Sequence, residues 1–95
     1  MSIVVTVSIK NADLEKFKEV DQAHPELREE LIGLLKKHGN ISHTRLVRGS
    51  EVLDLDEWPN EECLKTFLAE AEVVIHRLAQ LRGTTIPEDT VWQKL

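Results

Sequence analysis

The first apolar segment of the chain has the two-residue period of a β-strand. Residues 2–9 read SIVVTVSI, and one face of this segment carries Ile3, Val5, Val7 and Ile9. Successive side chains of a strand point to opposite faces, and β-branched residues fit a pleated sheet well. Because the other face is also partly apolar, this segment is predicted to be a central strand.

Two helices are predicted after this strand. The first is capped by Asn11 or Asp13 and ends before Pro25, because the residue before a proline avoids the helical conformation. Pro25 itself suits the first turn of the second helix, which is predicted to end at Gly39.

A hairpin and a third helix follow. Residues 40–48 and 51–58 are predicted strands, and Gly49–Ser50 between them suits a two-residue type II′ turn. The third helix is predicted from a cap at Asn60 to a stop at Gly83, with an apolar stripe along one face.

The last predicted strand is Thr90–Leu95, so the element order is β-α-β-β-α-β when the two helices on either side of the Pro25 break are counted as one helical connection. Right-handed crossovers in one sheet then give a ferredoxin-like α+β fold, a four-stranded antiparallel sheet with its helices on one face. Residues 1–95 are expected to form a single domain. A chain of 95 residues buries only about 60–65% of its unfolded surface, so a sizeable ligand site requires an open groove or a second subunit.

Composition excludes several functional classes. Twelve Lys and Arg residues are interleaved with 17 Asp and Glu residues, for a net charge of −5, which argues against nucleic-acid and anionic-membrane partners. The single Cys63 excludes an intrachain disulfide, and the spacing of His, Cys, Asp and Glu predicts no metal site. No apolar run approaches the roughly 18 residues of a membrane span, and the N-terminus lacks a signal-peptide pattern, so a cytoplasmic protein is expected.

The hairpin register places four ionisable side chains on one face of the sheet. With a two-residue loop, His43 faces Asp56 and Arg45 faces Asp54. Leucines occupy the reverse face of the hairpin and are expected to pack against the helices. The four ionisable residues are therefore predicted on the uncovered face of the sheet.

This cluster has two interpretations. A carboxylate beside an imidazole orients one tautomer and makes the other nitrogen more basic, so His43 oriented by Asp56 is a candidate general base. Arg45, oriented by Asp54, is a candidate for binding an enolate, phenolate or carboxylate. In the alternative interpretation, the charges pair across the strands only to stabilise the sheet and specify its register.

Four further residues are candidate substrate contacts beside Asp54. They are Thr6 and Ser8 on the more polar face of the first strand, Trp58 at the end of its strand, and His76 on the third helix. Trp58 is expected either to line a cavity or interface or to stack on an aromatic ligand. His76 is expected to be a boundary histidine or to face a cavity rim.

With these elements in place, the chain resembles the dimeric α+β barrel superfamily, and within it the antibiotic biosynthesis monooxygenase-like domains. The resemblance covers nearly the whole chain and rests on Ile3–Ile9, the turn at Gly39, Val52–Trp58 (VLDLDEW) and Pro59–Phe67 (PNEECLKTF). It implies a homodimer in which two open sheet faces pair into a barrel, with a small-molecule ligand bound in the barrel cavity or a flanking cleft.

The resemblance implies a cofactor-independent monooxygenase or an isomerase that acts on a small aromatic or enolic compound. The alternative is a non-catalytic ligand-binding or assembly module. The haem-degrading members of the group have an Asn in the first strand, where this chain offers Thr6 and Ser8, and a helical Trp where it has Phe67. His76 alone lies near their haem-ligand position, which leaves haem binding as a third possibility.

Overall fold

The computed structural model describes all 95 residues and contains four strands and three helices. They are β1 (Ile3–Ile9), α1 (Leu14–Ala23), α2 (Pro25–Lys37), β2 (Ser42–Arg48), β3 (Glu51–Trp58), α3 (Glu61–Arg82) and β4 (Glu88–Gln93). The predicted ferredoxin-like α+β fold is confirmed, although β4 lies slightly before the predicted Thr90–Leu95. No helix has both the length and the apolar character needed to cross a membrane.

Local sequence explains where the helices begin and end. The Asp13 side chain caps α1 by accepting hydrogen bonds from the backbone N–H groups of Glu15 and Lys16, at 3.0 and 3.4 Å. Asn11, the other predicted cap, instead adopts a left-handed φ of 58° in the turn before the helix. Gly83 ends α3 with a φ of 71°, a conformation that glycine adopts without steric cost.

The sheet is antiparallel throughout, in the order β2-β3-β1-β4. The predicted hairpin register is confirmed, because His43 lies opposite Asp56 and Arg45 lies opposite Asp54. In the turn, Gly49 has a φ of 57° and Ser50 does not have a positive φ, as a type II′ turn requires.

The main core lies between one face of the sheet and the helices. Ile3 and Val5 of β1 and Trp58 of β3 pack there against the buried stripe of α3, which includes Phe67 and Ala71. The Trp58 and Phe67 rings are 4.9 Å apart between centroids. These contacts fix the inner face of the central strands.

The hairpin therefore faces the opposite way from the prediction. Val52 and Trp58, at the two ends of the same face of β3, are 0% and 1% exposed. Asp54 and Asp56 lie between these two residues on the same face of β3. They therefore also point towards the helices, together with their partners on β2.

The physical reason is the pairing of β3 with β1. The apolar face of β1, which includes Val5, aligns with the face of β3 that carries Val52 and Trp58, and burying this combined surface outweighs burying the hairpin leucines. Leu46 is consequently 46% exposed on the face of the sheet that the helices do not cover. We call this uncovered surface the open face.

Candidate functional site

A cavity of about 610 Å³ lies between the inner face of the sheet and the helices. Fifteen of its 27 lining residues are hydrophobic, among them Leu31, Phe67 and Ile75. The four ionisable residues of the hairpin cluster also line it. A mostly apolar cavity with a few polar groups on one wall is typical of a small-molecule site.

His43 and Asp56 form a hydrogen-bonded pair on this wall. His43 Nδ1 donates to Asp56 Oδ1, because an ionised carboxylate only accepts hydrogen bonds. The Asp56 side chain is 11% exposed, and burial raises its pKa above the ordinary value while the hydrogen bond from His43 opposes the rise. The bond leaves Nε2 as the basic nitrogen of the imidazole ring.

Arg45 and Asp54 form a second pair, with two parallel hydrogen bonds. Arg45 Nε donates to Asp54 Oδ1 at 2.7 Å, and Arg45 Nη2 donates to Asp54 Oδ2 at 2.9 Å. The hydrogen bonds from the guanidinium to Asp54 raise the pKa of Arg45, although burial opposes the rise. Because the two hydrogen bonds pair the guanidinium charge with the Asp54 carboxylate, Arg45 is less available to a ligand anion than the sequence predicted.

The structure adds Arg82, a second buried guanidinium that the sequence analysis missed. Its side chain is 10% exposed, and its Cζ atom lies 4.2 Å from the centroid of the Phe17 ring. Burial and, next, the charge of Arg45 lower the pKa of Arg82. Spacing was the available signal, because Arg82 follows the buried Leu78 by four positions on α3.

Two acidic residues of the cavity were also missed. The Asp21 carboxylate lies 3.8 Å from the Arg82 guanidinium, measured from Oδ1 to Nη2. Asp89 lies opposite Val7 on β1, and burial together with the charge of Asp56 raises its pKa. Neither residue stands in a recognisable motif, so only the register of β4 and the packing of α1 bring them to the site.

The other predicted contacts are divided between two surfaces. Trp58 and His76 line the cavity, Trp58 as a buried wall and His76 as an exposed residue at the rim. Thr6 and Ser8 do not: they point to the open face, where Thr6 Oγ1 accepts a hydrogen bond from Trp92 Nε1 at 3.0 Å. The reason is the strand period, since the neighbouring Val5 faces the core.

No group of three or more His, Cys, Asp and Glu side chains is placed to hold a metal ion. The ionisable groups that the hairpin contributes to the cavity wall are instead matched in pairs across the strands. The chemistry available from these side chains is therefore proton transfer by His43 and hydrogen bonding to a bound compound.

No protein-family model and no curated protein matches the chain. It is similar in structure to a candidate antibiotic biosynthesis monooxygenase of Deinococcus radiodurans, with a TM-score of 0.70, 16% identity, and coverage of 100% of this chain and 93% of the other. A conserved protein of Methanosarcina mazei Go1 gives a TM-score of 0.70 at 18% identity, with coverage of 100% and 94%.

A third similar structure is SnoaB, a cofactor-independent oxygenase of Streptomyces nogalater. Its TM-score is 0.65 at 14% identity, with coverage of 99% of this chain and 92% of the other. At these identities the matches show the fold. The resemblance to antibiotic biosynthesis monooxygenase-like α+β domains is thus confirmed as a likeness of fold, and activity has to be argued from the site.

Proposed function

We propose that this protein binds a small aromatic or enolic compound in the cavity and acts on it as a cofactor-independent monooxygenase or an isomerase. The observation that carries the proposal is the His43–Asp56 pair on the wall of an apolar cavity. An oriented imidazole in partly apolar surroundings is the usual means of removing a proton from a weak carbon or phenolic acid. SnoaB, a cofactor-independent oxygenase with this fold, supports the choice of reaction class.

In the proposed reaction, His43 Nε2 removes a proton from the substrate and Asp56 stabilises the imidazolium that forms. The resulting carbanion or enolate is an electron donor. In the monooxygenase case it reduces O₂, so that a CH₂ group becomes a carbonyl group, one oxygen atom enters the product and the other leaves as water. In the isomerase case the same anion is protonated again at another carbon.

The non-catalytic alternative has its own support in the Arg45–Asp54 pair. Its two matched hydrogen bonds are what a purely structural cross-strand pair requires. A cavity lined by both His43 and Arg45 favours a ligand-binding module over an assembly module. The two functions are separated by whether a bound compound is converted.

Oxygen uptake measured with anthrone, whose acidic CH₂ group can become a carbonyl group, and with related enolisable compounds tests the catalytic proposal. We expect consumption of O₂ above the rate without protein, and a loss of about 100-fold or more in His43→Ala, because general-base catalysis contributes about 10²–10⁴-fold. His24→Ala is the matched control, since His24 lies between α1 and α2 and does not line the cavity. Isomerisation of the same compounds is followed by proton exchange in D₂O.

The catalytic proposal is wrong if compounds that bind in the cavity are neither oxidised nor exchanged, or if His43→Ala converts them as fast as the wild type. Binding is followed separately through the indole N–H resonance of Trp58, which lines the cavity. Trp92→Phe assigns this resonance, because the chain contains two tryptophans. Binding without conversion identifies the ligand-binding module.

We also propose that two copies of the chain pair through their open faces. Leu46 and Trp92 on this surface are 46% and 56% exposed. Large apolar side chains exposed together on one face are typical of a surface that a partner covers. Pairing would cover these side chains and would leave the cavity of each copy intact, because the cavity lies on the other side of the sheet. Sedimentation at micromolar concentration tests this pairing.

A further inference from the structure

Three buried polar atoms of residues that line the cavity have no hydrogen-bond partner. Trp58 Nε1 is one of them, and the other two belong to neighbouring side chains: Arg82 Nε, a donor, and Asp21 Oδ1, an acceptor. The separation of 3.8 Å between Arg82 Nη2 and Asp21 Oδ1 is too long for a hydrogen bond, so the two side chains attract each other without being bonded. Both residues line the cavity. Unpaired buried groups of this kind are uncommon and call for a physical explanation.

The two atoms have complementary hydrogen-bonding needs, which a single ligand group could meet. The nitrogen needs an acceptor and the oxygen needs a donor. Their opposite charges lie close together, so the Arg82–Asp21 pair as a whole is nearly neutral. An anion would be repelled by Asp21 and a cation by Arg82. An uncharged group that both accepts and donates a hydrogen bond matches both atoms.

The surroundings of the pair allow such a group to enter. The Phe17 ring holds the Arg82 guanidinium at 4.2 Å, whereas the Asp21 side chain is 35% exposed and holds no hydrogen bond. Rotation of Asp21 therefore breaks no hydrogen bond. Arg45, which lies 5.7 Å from the same ring, is already matched by Asp54 and does not compete for the group.

We propose that Arg82 and Asp21 form a subsite that binds an uncharged hydroxyl or primary carboxamide of the compound held in the cavity. Arg82 Nε donates to the oxygen of this group, and the Asp21 carboxylate accepts its hydrogen. The subsite rests on the proposed function only in requiring that the cavity takes an aromatic compound. It makes no use of His43, and it predicts a substrate class with a hydroxyl or amide away from the reacting atom.

Three probes of similar shape test the subsite by titration of the Trp58 indole resonance at pH 7. They are 4-methylphenol, which accepts and donates and is uncharged because phenols have a pKa of about 10, 4-methylanisole, which only accepts, and the anion 4-methylbenzoate. We expect 4-methylphenol to bind about 10-fold or more tighter than 4-methylanisole, since a hydrogen bond to a charged group is worth about this factor. It is also expected to bind tighter than 4-methylbenzoate.

Variants assign the preference to the two residues. Arg82→Met is expected to weaken the binding of 4-methylphenol and 4-methylanisole alike, because the oxygen of each accepts from Arg82 Nε. Asp21→Ala is expected to abolish the preference for 4-methylphenol over 4-methylanisole, because only the phenol donates a hydrogen bond to the carboxylate. Asp21→Asn, which removes the charge at constant shape, is expected to strengthen the binding of 4-methylbenzoate. Arg77→Met, an exposed position on the same helix, is the matched control and should leave all three affinities unchanged. Thermal unfolding verifies that each variant is folded, and Asp21→Asn decides the outcome if Arg82→Met does not fold.

The subsite is overturned if the probes bind to the wild type without preference, or if Asp21→Asn does not change the relative affinity for the anion. Either result would mean that Arg82 only packs on Phe17, or that water joins it to Asp21. Binding without preference would leave the proposed function intact. Failure of all three probes to bind would overturn the cavity as an aromatic site, and the subsite with it.

Discussion

The imidazole of His43 and the carboxylate of Asp56 are hydrogen-bonded across neighbouring strands, with the carboxylate buried and the ring 39% exposed. Because of this difference in exposure, the His43 ring is accessible from the cavity, whereas the Asp56 carboxylate is buried and orients the ring. The arrangement also has a consequence for stability, since the ionised form of Asp56 is held in a buried position.

The first prediction concerns the pH dependence of stability at Asp56. Burial raises the folded-state pKa of this residue above its ordinary value of 3.8, with the bond from His43 acting against the rise. Between these two values the folded state binds more protons than the unfolded state, so the contribution of Asp56 to stability is lost as the pH rises through this window. We expect Asp56→Asn to remove this loss, so that the free energy of unfolding falls less steeply above pH 3.8 than in the wild type.

Urea denaturation at a series of pH values from 3 to 7 measures this slope. Glu29→Gln is the control, because Glu29 is an exposed carboxylate on α2 and should leave the slope unchanged. Parallel curves for the wild type and Asp56→Asn would show that the pKa of Asp56 is not raised by folding. The experiment needs no knowledge of the substrate.

The second prediction concerns the Arg45–Asp54 pair. Removing one partner leaves the other charge buried, which costs about 3–5 kcal/mol in a fully buried pair. Because the Arg45 side chain is 35% exposed, we expect Arg45→Ala to cost less, about 2 kcal/mol of unfolding free energy. The double variant Arg45→Met/Asp54→Leu should be close to the wild type, because it leaves no unpaired charge. Chemical denaturation measures both, and a double variant no more stable than Arg45→Ala would contradict the argument.

The elements and the hairpin register were predictable because local rules decide them. A two-residue turn at Gly49–Ser50 fixes which residues face each other on β2 and β3, and caps and glycines fix the ends of the helices. These signals involve residues close together in the chain. The contact between His43 and Asp56 follows from them directly.

The orientation of the hairpin was not predictable from the hairpin alone. Both of its faces carry apolar residues, and the choice is made by alignment with β1, where Trp58 lies opposite Ile3. Arg82 was missed for a related reason: its spacing from Leu78 indicates only a buried face of α3, whereas its contact with Phe17 joins the end of α3 to α1. Long-range packing decides both features.

The third prediction concerns the open face. Leu46 and Val47 are neighbours on β2 with similar exposures of 46% and 48%, but they point to opposite faces of the sheet. If two copies pair through their open faces, Leu46→Glu places a charge in the interface and weakens the dimer, whereas Val47→Glu does not. Sedimentation at micromolar concentration should show about twice 10.9 kDa for the wild type and Val47→Glu. A wild-type particle of 10.9 kDa would contradict the pairing.

The fourth prediction separates packing from hydrogen bonding at Trp58. Its Nε1 atom is buried and has no hydrogen-bond partner, so Trp58→Phe loses no bond and removes an unpaired donor. We expect this change to cost at most about 1 kcal/mol of unfolding free energy, because a large aromatic side chain still fills most of the space. Phe67→Ala, which empties the position against the same ring, should cost about 3–5 kcal/mol. Urea denaturation gives both values, and a cost for Trp58→Phe as large as that of Phe67→Ala would mean that Nε1 is hydrogen-bonded in solution.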